Sequence, residues 1–142
     1  PGTYPDSDLF EIVVNASKIL EITIEEFLKK LGHYAFAKLA ERHPSFLEGY
    51  NHPKSFLQTV DGVIHMEVRK LYQDSQLPVF QYSDPSKDEL IITYYSKRKL
   101  YPFLEGMING VSDYFGVGIS QTHKIYEKDR VELCDYYLTF DQ

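Results

Sequence analysis

The feature that most constrains the fold of this sequence is a change in the spacing of its apolar residues near Pro78. Before this point apolar side chains recur every three or four residues, which is the spacing of amphipathic helices. After it, segments rich in β-branched and aromatic residues are separated by polar turns, which is typical of strands. The chain is therefore expected to combine helices with a sheet.

Four helices are predicted before the change, and Asp6 or Ser7 is a candidate cap for the first of them. Thr23 is expected to cap the second, and Gly32 is expected to interrupt the helical pattern that follows. The fourth and longest helix carries His65 in its middle. The predicted ranges are 6–20, 23–31, 34–42 and 55–72.

Two hairpins separated by one helix are predicted after the change. The first hairpin pairs residues 78–82 with 90–95, the helix covers 100–115, and the second hairpin pairs 118–126 with 131–140. The sequence thus predicts an α+β fold, in which several amphipathic helices pack with an antiparallel sheet of about four strands.

Length and charge exclude several classes of protein. The 142 residues, 43% of them hydrophobic, suit a single soluble domain spanning 1–142. A net charge of −6 argues against nucleic acid or a membrane surface as a partner, and no apolar run is long enough to span a bilayer. Cys134 is the only cysteine, which fits a reducing cytoplasm.

His65 is the first candidate ligand, because apolar positions surround it along its predicted helix. It could present a neutral imidazole to a metal within an apolar cavity. Considered alone, such a histidine is more often an ordinary core or surface residue.

Tyr94, Ser96 and Arg98 form a second candidate group, since their alternate positions place them on one face of an extended segment. Hydroxyl donors and a guanidinium suit a pair of carboxylates. An ordinary polar strand end is the alternative interpretation of this spacing alone.

Both groups together resemble the signature of the haem-nitric oxide/oxygen-binding (H-NOX) family, which includes the haem domain of soluble guanylate cyclase. The helix with Ile64 and His65, then Leu77 and Pro78, then the motif from Tyr94 to Arg98 follow in the family's order and spacing. The resemblance implies an H-NOX fold, and it covers nearly the whole chain.

The resemblance also implies a cofactor and a role for each matching residue. His65 would be the axial ligand of haem b (ferrous protoporphyrin IX), and Tyr94, Ser96 and Arg98 would bind its propionates. Pro78 matches the proline that packs against the haem and distorts it. Asp6 matches an acidic residue that pairs with the motif arginine, although a helix N-cap explains Asp6 equally well.

The ligand expected from the resemblance is NO, with CO also able to bind. Family members that bind O₂ use a distal tyrosine donor, and Phe103 stands at the matching position. Ala35, Leu39 and Met107 are the other expected distal residues, and none of them is a hydroxyl donor. Bound NO would release His65 and shift the domain conformationally.

The expected output is signalling to a separate protein, such as a histidine kinase or a cyclic-di-GMP enzyme. No catalytic constellation is recognisable, so an enzyme is not expected. His123 and Cys134 are too few for a structural zinc site. An O₂ sensor has less support than an NO sensor.

In the family, further helices precede the segment that Thr3 and Tyr4 resemble. The beginning of this sequence differs from that pattern. The resemblance therefore describes an N-terminally incomplete H-NOX domain. The alternative function is a haem-free or truncated H-NOX-like module that binds a protein partner.

Overall fold

The computed structural model describes residues 6–62, 79–95 and 99–141. Its first half is helical and its second half contains the sheet, as the spacing of apolar residues predicts. The helices are α1 (Asp6–Leu20), α2 (Ile24–Arg42), α3 (Pro53–Leu57) and α4 (Tyr101–Phe115), with a 3₁₀ turn at Pro44–Phe46. The strands are β1 (Val79–Ser83), β2 (Glu89–Tyr95), β3 (Ile119–Lys128) and β4 (Val131–Phe140).

The four strands form one antiparallel sheet in the order β1-β2-β4-β3. Alternate residues of β2 and β4 face the helices, so that Leu90, Ile92 and Tyr94 are buried beside Tyr136 and Leu138. This confirms the α+β fold class and both predicted hairpins. The second hairpin turns at Asp129 and Arg130, whose φ values of 52° and 65° suit a two-residue turn that follows the sheet's twist.

The predicted cap of the second helix is also present. The Thr23 hydroxyl oxygen accepts a hydrogen bond from the Glu26 amide at 3.0 Å, and it lies 3.2 Å from the Glu26 carboxylate. The Thr23 hydroxyl therefore caps the helix, because it satisfies an amide in the first turn that has no partner within the helix.

The predicted interruption at Gly32 is wrong, because α2 continues from Ile24 to Arg42. Gly32 lies where α2 crosses α4, and a Cβ atom on it would be 2.0 Å from the Phe103 carbonyl oxygen. Gly106 meets α2 in the same way, since its Cβ would lie 1.9 Å from the Lys29 carbonyl oxygen. These glycines therefore permit close helix packing, and this gain outweighs their low helix propensity.

The long helix predicted over 55–72 is interrupted in its first part. Here α3 ends at Leu57, and a turn separates it from the helical residues 60–62. The remainder of that prediction lies outside the described residues. Within the described residues, no helix is long and apolar enough to cross a membrane.

We predict that Gly106→Ala lowers the free energy of unfolding by about 1–3 kcal/mol, because the added methyl group overpacks the helix crossing. Urea denaturation followed by circular dichroism measures this. Gly62→Ala is the control, since Gly62 is helical and exposed with no atom within 4 Å of the added Cβ. Equal stability of Gly106→Ala and wild type would contradict the close crossing.

Candidate functional site

The structure describes some of the predicted site residues and not others. Tyr94 lies at the end of β2, while Ala35 and Leu39 lie on α2, and Phe103 and Met107 lie on α4. Asp6 is described only as the first residue of α1. The remaining predicted residues lie outside the described ranges: His65, Pro78, Ser96 and Arg98.

An apolar cavity of about 50 Å³ lies between the helices and the first strand. Its walls come from α2, the 3₁₀ turn, α3, α4 and β1, and from Val60, which follows α3. Every described lining side chain is apolar: Phe36, Leu39, Phe46, Phe56, Leu57, Val60, Phe80, Leu104, Met107, Ile108 and Val111. The cavity therefore offers an apolar ligand packing contacts without a side-chain hydrogen bond.

Two of the four predicted distal residues, Leu39 and Met107, share this cavity. Phe103 and Ala35 are half-buried and are not among the lining residues. The carbonyl of Phe103 faces Gly32 at the helix crossing instead. The structure thus brings one residue from α2 and one from α4 together across a common apolar space.

The sequence analysis missed most of the lining residues, although helical spacing could have identified several of them. Phe36 precedes Leu39 by three residues on α2, and Leu104 and Val111 lie three residues before and four residues after Met107 on α4. The contribution of Phe56 had no comparable signal, because it depends on how α3 packs against the other helices.

Phe80 connects the cavity to Tyr94, the first residue of the predicted carboxylate-binding motif. The Phe80 ring lines the cavity, and its centroid lies 5.4 Å from that of Tyr94. Tyr94 is only 5% exposed and makes edge-on ring contacts with Tyr101 and Tyr136. A continuous aromatic layer therefore leads from the apolar cavity to the end of β2.

The far end of this aromatic layer is polar. Tyr101 donates a short hydrogen bond to Glu132, and the Lys99 ammonium lies 3.5 Å from the same carboxylate. The hydrogen bond from Tyr101, with the nearby charge of Lys99, holds the pKa of Glu132 below its usual range. The site is thus apolar at one end and carries ionised groups at the other.

Asp61 lies shortly before the segment that contains His65 and Pro78 in the sequence, and it hydrogen-bonds to two residues of β1, the strand that follows this segment. Its carboxylate accepts a hydrogen bond from the Phe80 amide at 3.2 Å, and its own amide donates to the Tyr82 hydroxyl at 3.3 Å. Burial raises the pKa of Tyr82 to about 12, so this hydroxyl stays protonated at neutral pH. Asp61 thus connects the helical residues 60–62 to β1, and Val60 and Phe80 from these two segments both line the cavity.

No group of three or more potential metal-ligating side chains occurs in the described ranges. Cys134 is fully buried in β4, whereas His123 is exposed on β3 with its ring against Tyr136. The two residues that the sequence offered for zinc therefore lie in different environments.

The comparisons with known proteins agree with this architecture. The family model described as Haem-NO-binding (HNOB) matches residues 1–123. An unliganded Fe(II) H-NOX mutant from K. algicida is 26% identical, with a TM-score of 0.85, and the match covers 99% of this chain and 76% of that one. An Fe(II)NO H-NOX from S. oneidensis is also 26% identical, with a TM-score of 0.85 and coverage of 99% and 78%.

A mutant H-NOX from T. Tengcongensis is 25% identical over 99% of this chain and 76% of its own, with a TM-score of 0.87. The family model covers well over half of the sequence, and the fold agrees with it. This chain belongs to the Haem-NO-binding (H-NOX) family, whose members are haem-based gas sensors.

The chemistry of the described site fits a haem. A porphyrin is a flat apolar ring with two carboxylates on one edge, and the site has an apolar cavity that leads through Phe80 to Tyr94 and a polar end. The cavity's volume of about 50 Å³ is small beside the roughly 300–1,000 Å³ of typical ligand pockets. A bound ring therefore requires the lining side chains to move apart.

We predict that Cys134 reacts slowly with thiol reagents in the native protein. Burial raises the pKa of this thiol to about 11, which lowers the reactive thiolate fraction roughly 100-fold at pH 8, and burial also blocks access. The measurement is the rate of native labelling compared with labelling in concentrated urea. Similar rates in the two conditions would contradict the packing of β4.

Proposed function

We propose that this chain is a haem-based nitric oxide sensor domain that signals conformationally to a separate partner protein. The observation that carries the proposal is the aromatic contact between Phe80 and Tyr94, which connects an apolar cavity to the start of the carboxylate-binding motif. Membership of the Haem-NO-binding family supports the same function. The proposed cofactor is haem b, which supplies an iron atom that coordinates NO.

Each residue matching the family signature has a role in this proposal. His65 would hold the haem iron and would be released when NO binds. Tyr94, Ser96 and Arg98 hold the two propionates, and Asp6 orients the Arg98 guanidinium. Pro78 would press against the ring, so that release of His65 would relax this contact and bias the domain toward a second conformation.

The proposed selectivity for NO over O₂ follows from the apolar lining. Bound O₂ carries partial negative charge and gains stability from a distal hydrogen-bond donor. Leu39 and Met107 offer no such donor, and neither does Phe103 or Ala35. NO and CO depend far less on a donor, so both remain ligands of the proposed site.

The signalling partner that we propose is a histidine kinase or a cyclic-di-GMP enzyme, and the domain itself catalyses no reaction. The buried free thiol of Cys134 supports a cytoplasmic protein, and the net charge of the chain is −6. The same charge disfavours nucleic acid or an anionic membrane as the partner.

The test is an absorption spectrum of the ferrous protein reconstituted with haem. We expect a Soret band that shifts when NO is added and stays unchanged in air, because the described lining residues include no donor to stabilise O₂. His65→Gly should alter the spectrum before NO is added. It should also abolish the effect of NO on the partner protein. His33→Gly, at an exposed position of α2 that does not line the cavity, is the matched control.

A featureless visible spectrum after reconstitution would contradict the proposal. A spectrum that changes in air and remains stable would support O₂ sensing instead. A spectrum that is the same for His65→Gly and wild type would remove His65 from the site.

A haem-free protein-interaction module is the second candidate function. The observation that favours it is an apolar face of α1, on which Ile12, Ile19 and Leu20 are 61%, 80% and 56% exposed. A large exposed apolar surface often marks a protein interface. This candidate predicts that His65→Gly leaves partner binding unchanged, whereas the sensor predicts that partner binding depends on haem.

A further inference from the structure

Two donors at the start of α4 converge on one carboxylate oxygen. The Lys99 ammonium lies 3.5 Å from Oε2 of Glu132, and the Tyr101 hydroxyl donates a short hydrogen bond to the same atom. A cation and a phenol hydroxyl directed at one oxygen form a carboxylate-binding geometry. Glu132 belongs to β4, so this arrangement depends on tertiary structure.

The core holds the Tyr101 donor in place. The Tyr136 hydroxyl donates to the Tyr101 carbonyl at 2.8 Å, and the Tyr101 ring packs edge-on against Tyr94 at 5.9 Å between centroids. Tyr101 is therefore fixed directly beside the first residue of the proposed propionate motif. Lys99 is the residue that follows Arg98 in the sequence, so the donors adjoin that motif from its other end.

The carboxylate that occupies these donors is accessible to solvent. The Glu132 side chain is 35% exposed and the Lys99 side chain is 57% exposed. An exposed ion pair of this kind contributes little to stability, and an incoming carboxylate would also accept the hydrogen bond from Tyr101. Glu132 can therefore leave the two donors without a large cost in stability.

We infer that Lys99 and Tyr101 form an additional carboxylate-binding pair, and that a propionate of the bound porphyrin replaces Glu132 on it. The inference rests on the proposed function and extends the propionate site beyond Tyr94, Ser96 and Arg98. Glu132 is then an internal competitor for the ligand. Its lowered pKa means that it is ionised, and therefore competes, at neutral pH.

The direction of each mutational effect follows from this competition. Lys99→Gln or Tyr101→Phe removes a donor and should weaken binding of a porphyrin diacid. Glu132→Gln removes the competing charge and should strengthen it. Combining Glu132→Gln with Lys99→Gln should abolish most of the gain, because the two side chains act through the same contact.

The experiment is a fluorescence titration of the whole chain with metal-free protoporphyrin IX and with its dimethyl ester. The ester keeps the apolar ring but has no ionised carboxylate, so it reports on the cavity alone. We expect Lys99→Gln to weaken diacid binding about two- to fivefold and Glu132→Gln to strengthen it about two- to fivefold, as suits an exposed ion pair. Ester binding should stay at the wild-type value.

The matched controls are Lys38→Gln and Glu41→Gln. These residues form another exposed ion pair, with 3.3 Å between the charged atoms, on α2. The controls change the net charge by the same amount as the test variants and should leave both titrations unchanged. A shift equal to that of the test variants would overturn the inference, because it would show a general charge effect.

Three further results would overturn the inference. Glu132→Gln could weaken diacid binding, the ester could respond in the same way as the diacid, or wild type could bind neither porphyrin. Only the last result also counts against the proposed function. A wild-type protein that binds haem and responds to NO, with variants that fail to discriminate diacid from ester, would refute this inference alone.

Discussion

The close crossing of α2 and α4 is the constraint on which the rest of the site depends. Gly32 and Gly106 bring the two backbones so near that a Cβ atom on either residue would meet a carbonyl oxygen at about 2 Å. This approach sets the separation of Leu39 from Met107 across the cavity. A wider crossing would change the volume and shape of the apolar wall, even if every lining residue stayed the same.

The sheet connects the apolar wall of the cavity to a polar group at one end. Phe80 belongs both to the cavity and to the aromatic layer around Tyr94, and that layer ends at Tyr101 and Glu132. A ligand with an apolar ring and an acidic edge matches this order of environments. In the function we propose, such a ligand would bind with its carboxylates near the start of α4.

The sequence predicted what local signals determine, such as the Thr23 cap and the two hairpins. Its prediction at Gly32 was wrong because a tertiary contact overrode a local helix-ending signal. The pairing of Lys99 and Tyr101 with Glu132 could not be predicted, since it joins residues about 30 positions apart. The roles that the family resemblance implies stay predictions for His65, Pro78, Ser96 and Arg98.

The most direct test of the central claim is urea unfolding of the chain at increasing concentrations of haem. If the apolar cavity and the residues around Tyr94 form one haem site, only the folded protein binds haem. The free energy of unfolding should then rise with haem concentration, and absorbance titration should saturate at one haem per chain. Unfolding that is independent of haem, without a saturable Soret band, would contradict the account.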